Sequence, residues 1–168
     1  MTVAANIFLN RELVNKKLFL NFPDMNAESK KIINYLGFDI DPEMLVEELT
    51  LVEREVVEIA KAMLLKPRIL ILDEVTAPLG EDEAEILFEL IDELKQGGMA
   101  IIFISHRLKE VSHCADRIYV LRNGKKAGEL EHDDELSEKK IIELMLGEQN
   151  MDNEKKLAEL EDHNPHIY

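Results

Sequence analysis

The run RILIL at 68–72 leads straight into Asp73 and Glu74, and the run MAIIFI at 99–104 leads into Ser105 and His106. Between them, Leu87, Leu90, Ile91 and Leu94 share one face of a helical pattern over 83–95, which Gly97 and Gly98 interrupt. Apolar strand, amphipathic helix, apolar strand predicts a βαβ unit with a right-handed crossover, and this constrains the fold more than anything else in the chain. An unbroken apolar run suits a strand buried on both faces of a parallel sheet better than a half-exposed antiparallel one. The expected class is therefore α/β.

Other elements follow from local signals. Val56, Ile59, Ala60, Met63 and Leu64 recur at amphipathic spacing, Pro67 prevents continuation, and Thr50 with Glu53 forms a T-x-x-E capping box at the start. Residues 27–36 predict a short helix with Ile32, Ile33 and Leu36 on one face and Gly37 at its stop. Residues 108–114 predict another short helix. Asn123-Gly124 marks a tight hairpin turn, and 137–146 predicts a last helix. Met63, Met99, Met145 and Cys114 fall in helical or strand patterns and are expected in the core.

The 168 residues suffice for one domain or a lobe of a larger one. With 20 Lys and Arg against 35 Asp and Glu, the net charge of −15 argues against a chain that lives on nucleic-acid phosphates or anionic lipid. One cysteine excludes an internal disulfide, no Cys/His spacing resembles a zinc site, and the cytosol is the default compartment. There is no signal-peptide pattern and no apolar run approaching the roughly 18 residues of a membrane span, so any membrane role is expected to run through a partner.

In parallel α/β sheets, ligands bind beyond the carboxyl ends of the strands. Asp73, Glu74 and His106 at neighbouring strand ends suit a site that holds a hydrated Mg²⁺, orients a water and contacts a phosphate. Each residue alone has a plainer reading: Asp at a strand end caps turns, and a lone His is usually solvated. Their placement at corresponding ends of adjacent strands is what raises the functional reading.

These residues resemble a known family, the ABC-type ATPases. ILILDE is similar to the Walker B strand with its catalytic glutamate, VTAPLG to the D-loop, ISHRLKEV to the switch-histidine loop, and LTLVEREVVEIAKAML to the signature motif and its helix. The resemblance extends from TVAANIFLNREL through CADRIYVLRNGKKAGEL to SEKKIIELMLGE, nearly the whole chain, and points to the first of two cassettes in ribose- and galactose-type sugar importers. It implies an incomplete P-loop NTPase core: a parallel sheet, a helical signature subdomain and a terminal hairpin. The implied division is a partial cassette over 1–148, with helices over about 1–66, the Walker B to switch region over about 67–130 and a last helix over about 137–147. Residues 149–168 would be an inter-cassette linker or tail.

The resemblance implies ATP and Mg²⁺ as cofactors, with Asp73 binding Mg²⁺ through water, Glu74 polarising the hydrolytic water and His106 contacting the γ-phosphate. Thr50, Leu51, Val52 and Glu53, together with Leu79 and Gly80 of the D-loop, would face nucleotide in the opposing cassette, helped by a helix N-terminus. The implied partners are a second cassette, in the same polypeptide or another chain, and membrane permease subunits that hold the protein at the inner face of the membrane. Neither nucleic acid nor direct membrane insertion is expected.

The sequence departs from the family in two places. None of its seven glycines stands in a G-x-x-x-x-G-K-[ST] loop, so the chain is expected to begin in mid-domain, without its nucleotide-holding lobe, and to hydrolyse no ATP alone. The family's L-S-G-G-Q is also degraded: Leu51 and Val52 replace the glycines and Glu53 the glutamine, so Thr50 and Glu53 read equally well as a capping box and nothing more. Two functions follow as alternatives. One is a working part of a sugar-importing ATPase; the other is a non-catalytic truncated cassette that pairs with and regulates an intact one. A DNA-repair or ribosome-associated ATPase of the same type fits the acidity less well.

Overall fold

A computed structural model describes residues 1–15, 19–131 and 138–146. They fall into two compact units, one ending at Ser105 and one beginning at His106. The tail expected at 149–168 lies outside the described residues.

The first unit joins a helical part to a βαβ part. Helix α1 (Val3–Ile7) starts at Thr2, whose Oγ1 accepts from Ala5 N. Val3, Ala4, Ile7 and Phe8 are all buried. Helix α2 (Phe22–Tyr35) begins earlier than 27, because Asn21 caps it and Pro23 occupies its first turn, where a missing N–H costs nothing. It stops as expected: Gly37 takes φ +80° and Phe38 N donates to Ile33 O across 3.1 Å.

A 3₁₀ turn at Val46–Glu48 leads into α3 (Leu51–Met63). Arg54 fixes this entry from within the helix, its Nε donating to Leu49 O (3.1 Å) and Nη2 to Glu47 O (2.9 Å). The inward face of α3 carries Val52, Val56, Val57, Ile59 and Ala60. Met63 and Met99 are only half-buried, Met145 is 44% exposed, and among the described residues the fully buried methionine is Met25.

Strands β1 (Ile69–Asp73) and β2 (Ala100–Ile104) pair in parallel, Ile69 opposite Ala100 and Asp73 opposite Ile104. Helix α4 (Glu81–Gln96) connects them, burying Ala84, Leu87, Phe88, Leu90, Ile91 and Leu94. Its break belongs to Gly98, at φ +87°, with Met99 N donating to Leu94 O. Phe88 meets Phe103 edge to face at 6.1 Å, so α4 covers the sheet face that carries Leu70, Leu72 and Phe103.

The opposite face overturns the expectation of a strand buried on both sides. Ile69, Ile71, Ile102 and Ile104 are 58, 61, 50 and 44% exposed. The apolar run is that of a two-faced strand, but α4 supplies a layer on one side only.

The second unit consists of α5 (Leu108–Cys114), a hairpin of β3 (Arg117–Arg122) and β4 (Lys125–Glu131), and α6 (Glu138–Leu146). Asn123 and Gly124 take φ +51° and +72°, the left-handed pair that a two-residue hairpin turn requires. Ile118, Val120, Leu130 and Ile141 form its core, with Leu108, Val111 and Leu144 packed around them. Cys114 is buried, its Sγ donating to Glu110 O.

Candidate functional site

Asp73 closes β1 on the same face as Ile69 and Ile71, because side chains alternate along a strand, and it is exposed to solvent. Glu74 continues the pairing by one bond, its N–H donating to Ile104 O at 2.9 Å, and this fixes both carboxylates at the carboxyl end of the parallel pair. Glu74 then turns the chain sharply. Its φ is +53°, a left-handed conformation that costs a residue with a Cβ about 1–2 kcal/mol.

The turn after Glu74 is tied down by backbone bonds. Ala77 N donates to Glu74 O and Leu79 N to Thr76 O, both at 3.0 Å. Thr76 is fully buried and Leu79 is 4% exposed, so within the D-loop-like stretch Leu79 is a core anchor, while Gly80, like Ala77 and Pro78, is open to solvent. Gly80 N in turn donates to Glu83 Oε2 at 2.9 Å at the start of α4. A carboxylate on a strained, multiply bonded turn is a preorganised group, not a loose surface acid. No sequence signal announces a positive φ at glutamate.

At the start of α3 the capping box is closed in both directions. Thr50 N and Oγ1 donate to Glu53 Oε2 at 2.9 and 2.8 Å, and Glu53 N donates to Thr50 Oγ1 at 3.3 Å. Glu53 thus lends its negative charge to the positive end of the helix. Leu51 is 39% exposed, whereas Val52 is 6% exposed, with its side chain in the core. Val52 therefore fills space inside the unit instead of standing over the helix N-terminus.

His106 opens the second unit and is exposed; Arg107 N-caps α5 and donates to Glu110 Oε1 at 3.0 Å. Elsewhere, an open groove of about 470 Å³ runs beside Phe8, Leu13, Asp24, Lys31 and Leu64, and none of the expected site residues lines it. Among the described residues no group of three His, Cys, Asp or Glu is placed to hold a metal. That donor set still fits Mg²⁺, which keeps most of its waters and takes one or two carboxylates plus phosphate oxygens; Asp73 offers one, at an exposed strand end. Among the described residues no helix is long and apolar enough to cross a membrane.

No family model matches the chain. A ribose import ATP-binding protein of Hahella chejuensis is 44% identical over 147 residues, 88% of this chain and 29% of its own length. One from Rubrobacter xylanophilus is 42% identical over the same shares, and an L-arabinose transport ATP-binding protein of Geobacillus stearothermophilus is 41% identical over 148 residues, again 88% and 29%. The chain thus spans less than a third of the length of these relatives. Among solved structures, a nucleotide-free ATP-binding cassette from an ABC transporter superposes with a TM-score of 0.70 at 26% identity, over 88% of this chain and 64% of that one. The ADP conformation of an ATP-binding cassette gives 0.70 at 27% identity, over 88% and 63%. With a parallel pair ending in Asp-Glu, a capped helix α3 and this similarity over most of its length, the chain is similar to part of an ABC-type ATP-binding cassette, and ribose and L-arabinose import ATP-binding proteins are among its relatives.

Proposed function

We propose that the chain is the C-terminal part of the first cassette in the ATPase subunit of a sugar importer, and that it contributes the water-activating half of an ATP site. The single observation that carries this is the placement of Asp73 and Glu74: both sit at the carboxyl end of the parallel pair, with Glu74 on a left-handed turn held by its bond to Ile104 O. In this reading Asp73 would hold Mg²⁺ through water, and the bound ion would supply charge neutralisation at the phosphates. Glu74 accepts a hydrogen bond from the attacking water and orients it in line with the γ-phosphorus, and His106 donates to a γ-phosphate oxygen. Gly80 and the start of α3 face nucleotide held by a second cassette. Permease subunits hold the assembly at the inner face of the membrane and convert hydrolysis into sugar uptake.

The absence of a G-x-x-x-x-G-K-[ST] loop from this sequence means that the chain supplies no main triphosphate anchor of its own. The test is a chimaera: the Hahella chejuensis relative with its matching segment replaced by this chain. It is expected to hydrolyse ATP, and Glu74→Gln is expected to lower that rate at least ~100-fold, the scale of a lost general base. Unchanged hydrolysis with Gln at 74 refutes the assignment.

A second reading is favoured by the closed capping box. Glu53 places a carboxylate where the family presents an uncharged end to phosphate, which suits a non-catalytic cassette that pairs with and regulates an intact one. A folded chimaera that binds ATP yet hydrolyses none, and gains activity with Glu53→Gln, selects this reading.

A further inference from the structure

We propose that Arg54 is a positioning residue for the start of α3, an inference that rests on the nucleotide reading of that stretch and names the side chain that holds it in shape. Arg54 is the fourth residue of α3, and long side chains on a helix lean back toward its N-terminus. Its guanidinium thereby reaches the loop that enters the helix, with Nε donating to Leu49 O at 3.1 Å and Nη2 to Glu47 O at 2.9 Å. One rigid, planar group grips two carbonyls of the entering backbone.

The need for such a clamp follows from the sequence of the loop. No glycine lies between Leu45 and Glu53, and the resemblance puts glycines where Leu51 and Val52 stand. The backbone here takes its shape from side chains instead. Leu45 N donates to Glu48 Oε2 at 3.1 Å, Thr50 N to Glu53 Oε2 at 2.9 Å and Glu53 N to Thr50 Oγ1 at 3.3 Å, while Arg54 serves the carbonyls. Leu49 is 4% exposed, so the clamp ties the loop to a residue already anchored in the core. Charge is also involved. Glu47, Glu48 and Glu53 bring carboxylates to this entry and Arg54 brings its cation, which eases the approach of a phosphate held by a second cassette.

The experiment uses the chimaera described above, which contains the full chain, carrying Arg54→Gln or Arg54→Lys. Lysine keeps the charge and cannot grip two carbonyls in a fixed plane, so it separates shape from charge. Both variants are expected to lower kcat at least ~10-fold, since a small misplacement of a positioned group costs up to ~100-fold. Calorimetric titration of each with Mg-ATP is expected to give the parent stoichiometry and an affinity within about threefold of the parent's, because the triphosphate is anchored elsewhere. A variant that had merely lost folded protein would lose stoichiometry instead. Asn21→Ala, which removes the cap of α2 in the same unit and leaves the loop alone, is expected to keep kcat within about twofold.

Arg54→Lys at the parent turnover overturns the proposal, because charge then suffices. So does a fall in kcat matched by an equal fall in binding stoichiometry, or an equal loss at Asn21→Ala, either of which leaves Arg54 a residue of stability only. Glu74→Gln is measured beside them. If it abolishes hydrolysis while both variants at 54 keep the parent rate, this inference fails and the nucleotide reading stands; if it hydrolyses at the parent rate, the nucleotide reading fails and the inference falls with it. A chimaera that binds Mg-ATP and hydrolyses none overturns the inference too, since the start of α3 then completes no working site.

Discussion

Replacing Glu74 by alanine and by glycine compares the two backbones at a position whose φ is +53°. A Cβ in the left-handed region costs about 1–2 kcal/mol, and glycine escapes that cost. Against this, glycine loses about 0.5–1 kcal/mol more on folding, because its unfolded chain is freer. The balance makes the Glu74→Gly variant roughly 0.5–1 kcal/mol more stable than Glu74→Ala. Both variants lack the carboxylate, so whatever the Glu74 side chain contacts cancels from the comparison.

Glu85 supplies the control, being exposed in the interior of α4 and within the same unit. There glycine is expected to be less stable than alanine by about 1 kcal/mol. The assay is urea unfolding of the full chain followed by far-UV circular dichroism. With a slope of about 2 kcal/mol/M, the midpoint at 74 should rise by about 0.3–0.5 M from Ala to Gly, and at 85 it should fall by a similar amount. A glycine at 74 that is no more stable than alanine refutes the claim that this turn stores strain at the carboxylate.

Two further predictions concern α3. Thr50→Ala, or Glu53→Ala, removes reciprocal bonds at its first turn and should cost about 1 kcal/mol in the same urea assay, whereas Leu51→Ala, at a half-open position outside the box, should cost less. Glu55 is half-buried on the same helix, and its carboxyl is held above the ordinary glutamate range, first by burial and then by the nearby Glu58 carboxylate. A raised carboxyl keeps its proton more tightly folded than unfolded, so stability falls as pH rises through that range and is recovered on acidification. Glu55→Gln should therefore be more stable than the parent at pH 7, with the gap closing as pH drops below the ordinary glutamate value; a gap independent of pH contradicts the assignment.

Much of this architecture was legible in the sequence because it rests on local rules. The face of α4, the T-x-x-E start of α3, the glycine stop of α2 and the Asn-Gly hairpin all follow from spacing and backbone preference. The failures share a cause: they depend on what lies across space. The run 69–72 reads as buried on both sides, yet Ile69 and Ile71 face outwards and are 58 and 61% exposed. Val52 reads as a replacement for a glycine of the motif, while its side chain is in the core. Leu79 reads as partner-facing and is an anchor beneath the turn. The strained φ of Glu74 has no composition signal at all, since only glycine and asparagine announce left-handed backbone. Asp73 and Glu74 were legible as candidates because they end an apolar run, but the geometry of the turn came only with the bond to Ile104.

The central claim is that this chain carries the water-activating half of an ATP site and lacks the half that grips the triphosphate. A calorimetric titration of the full chain with Mg-ATP tests it directly. The account predicts no binding heat up to millimolar nucleotide; a saturating isotherm with micromolar affinity contradicts it.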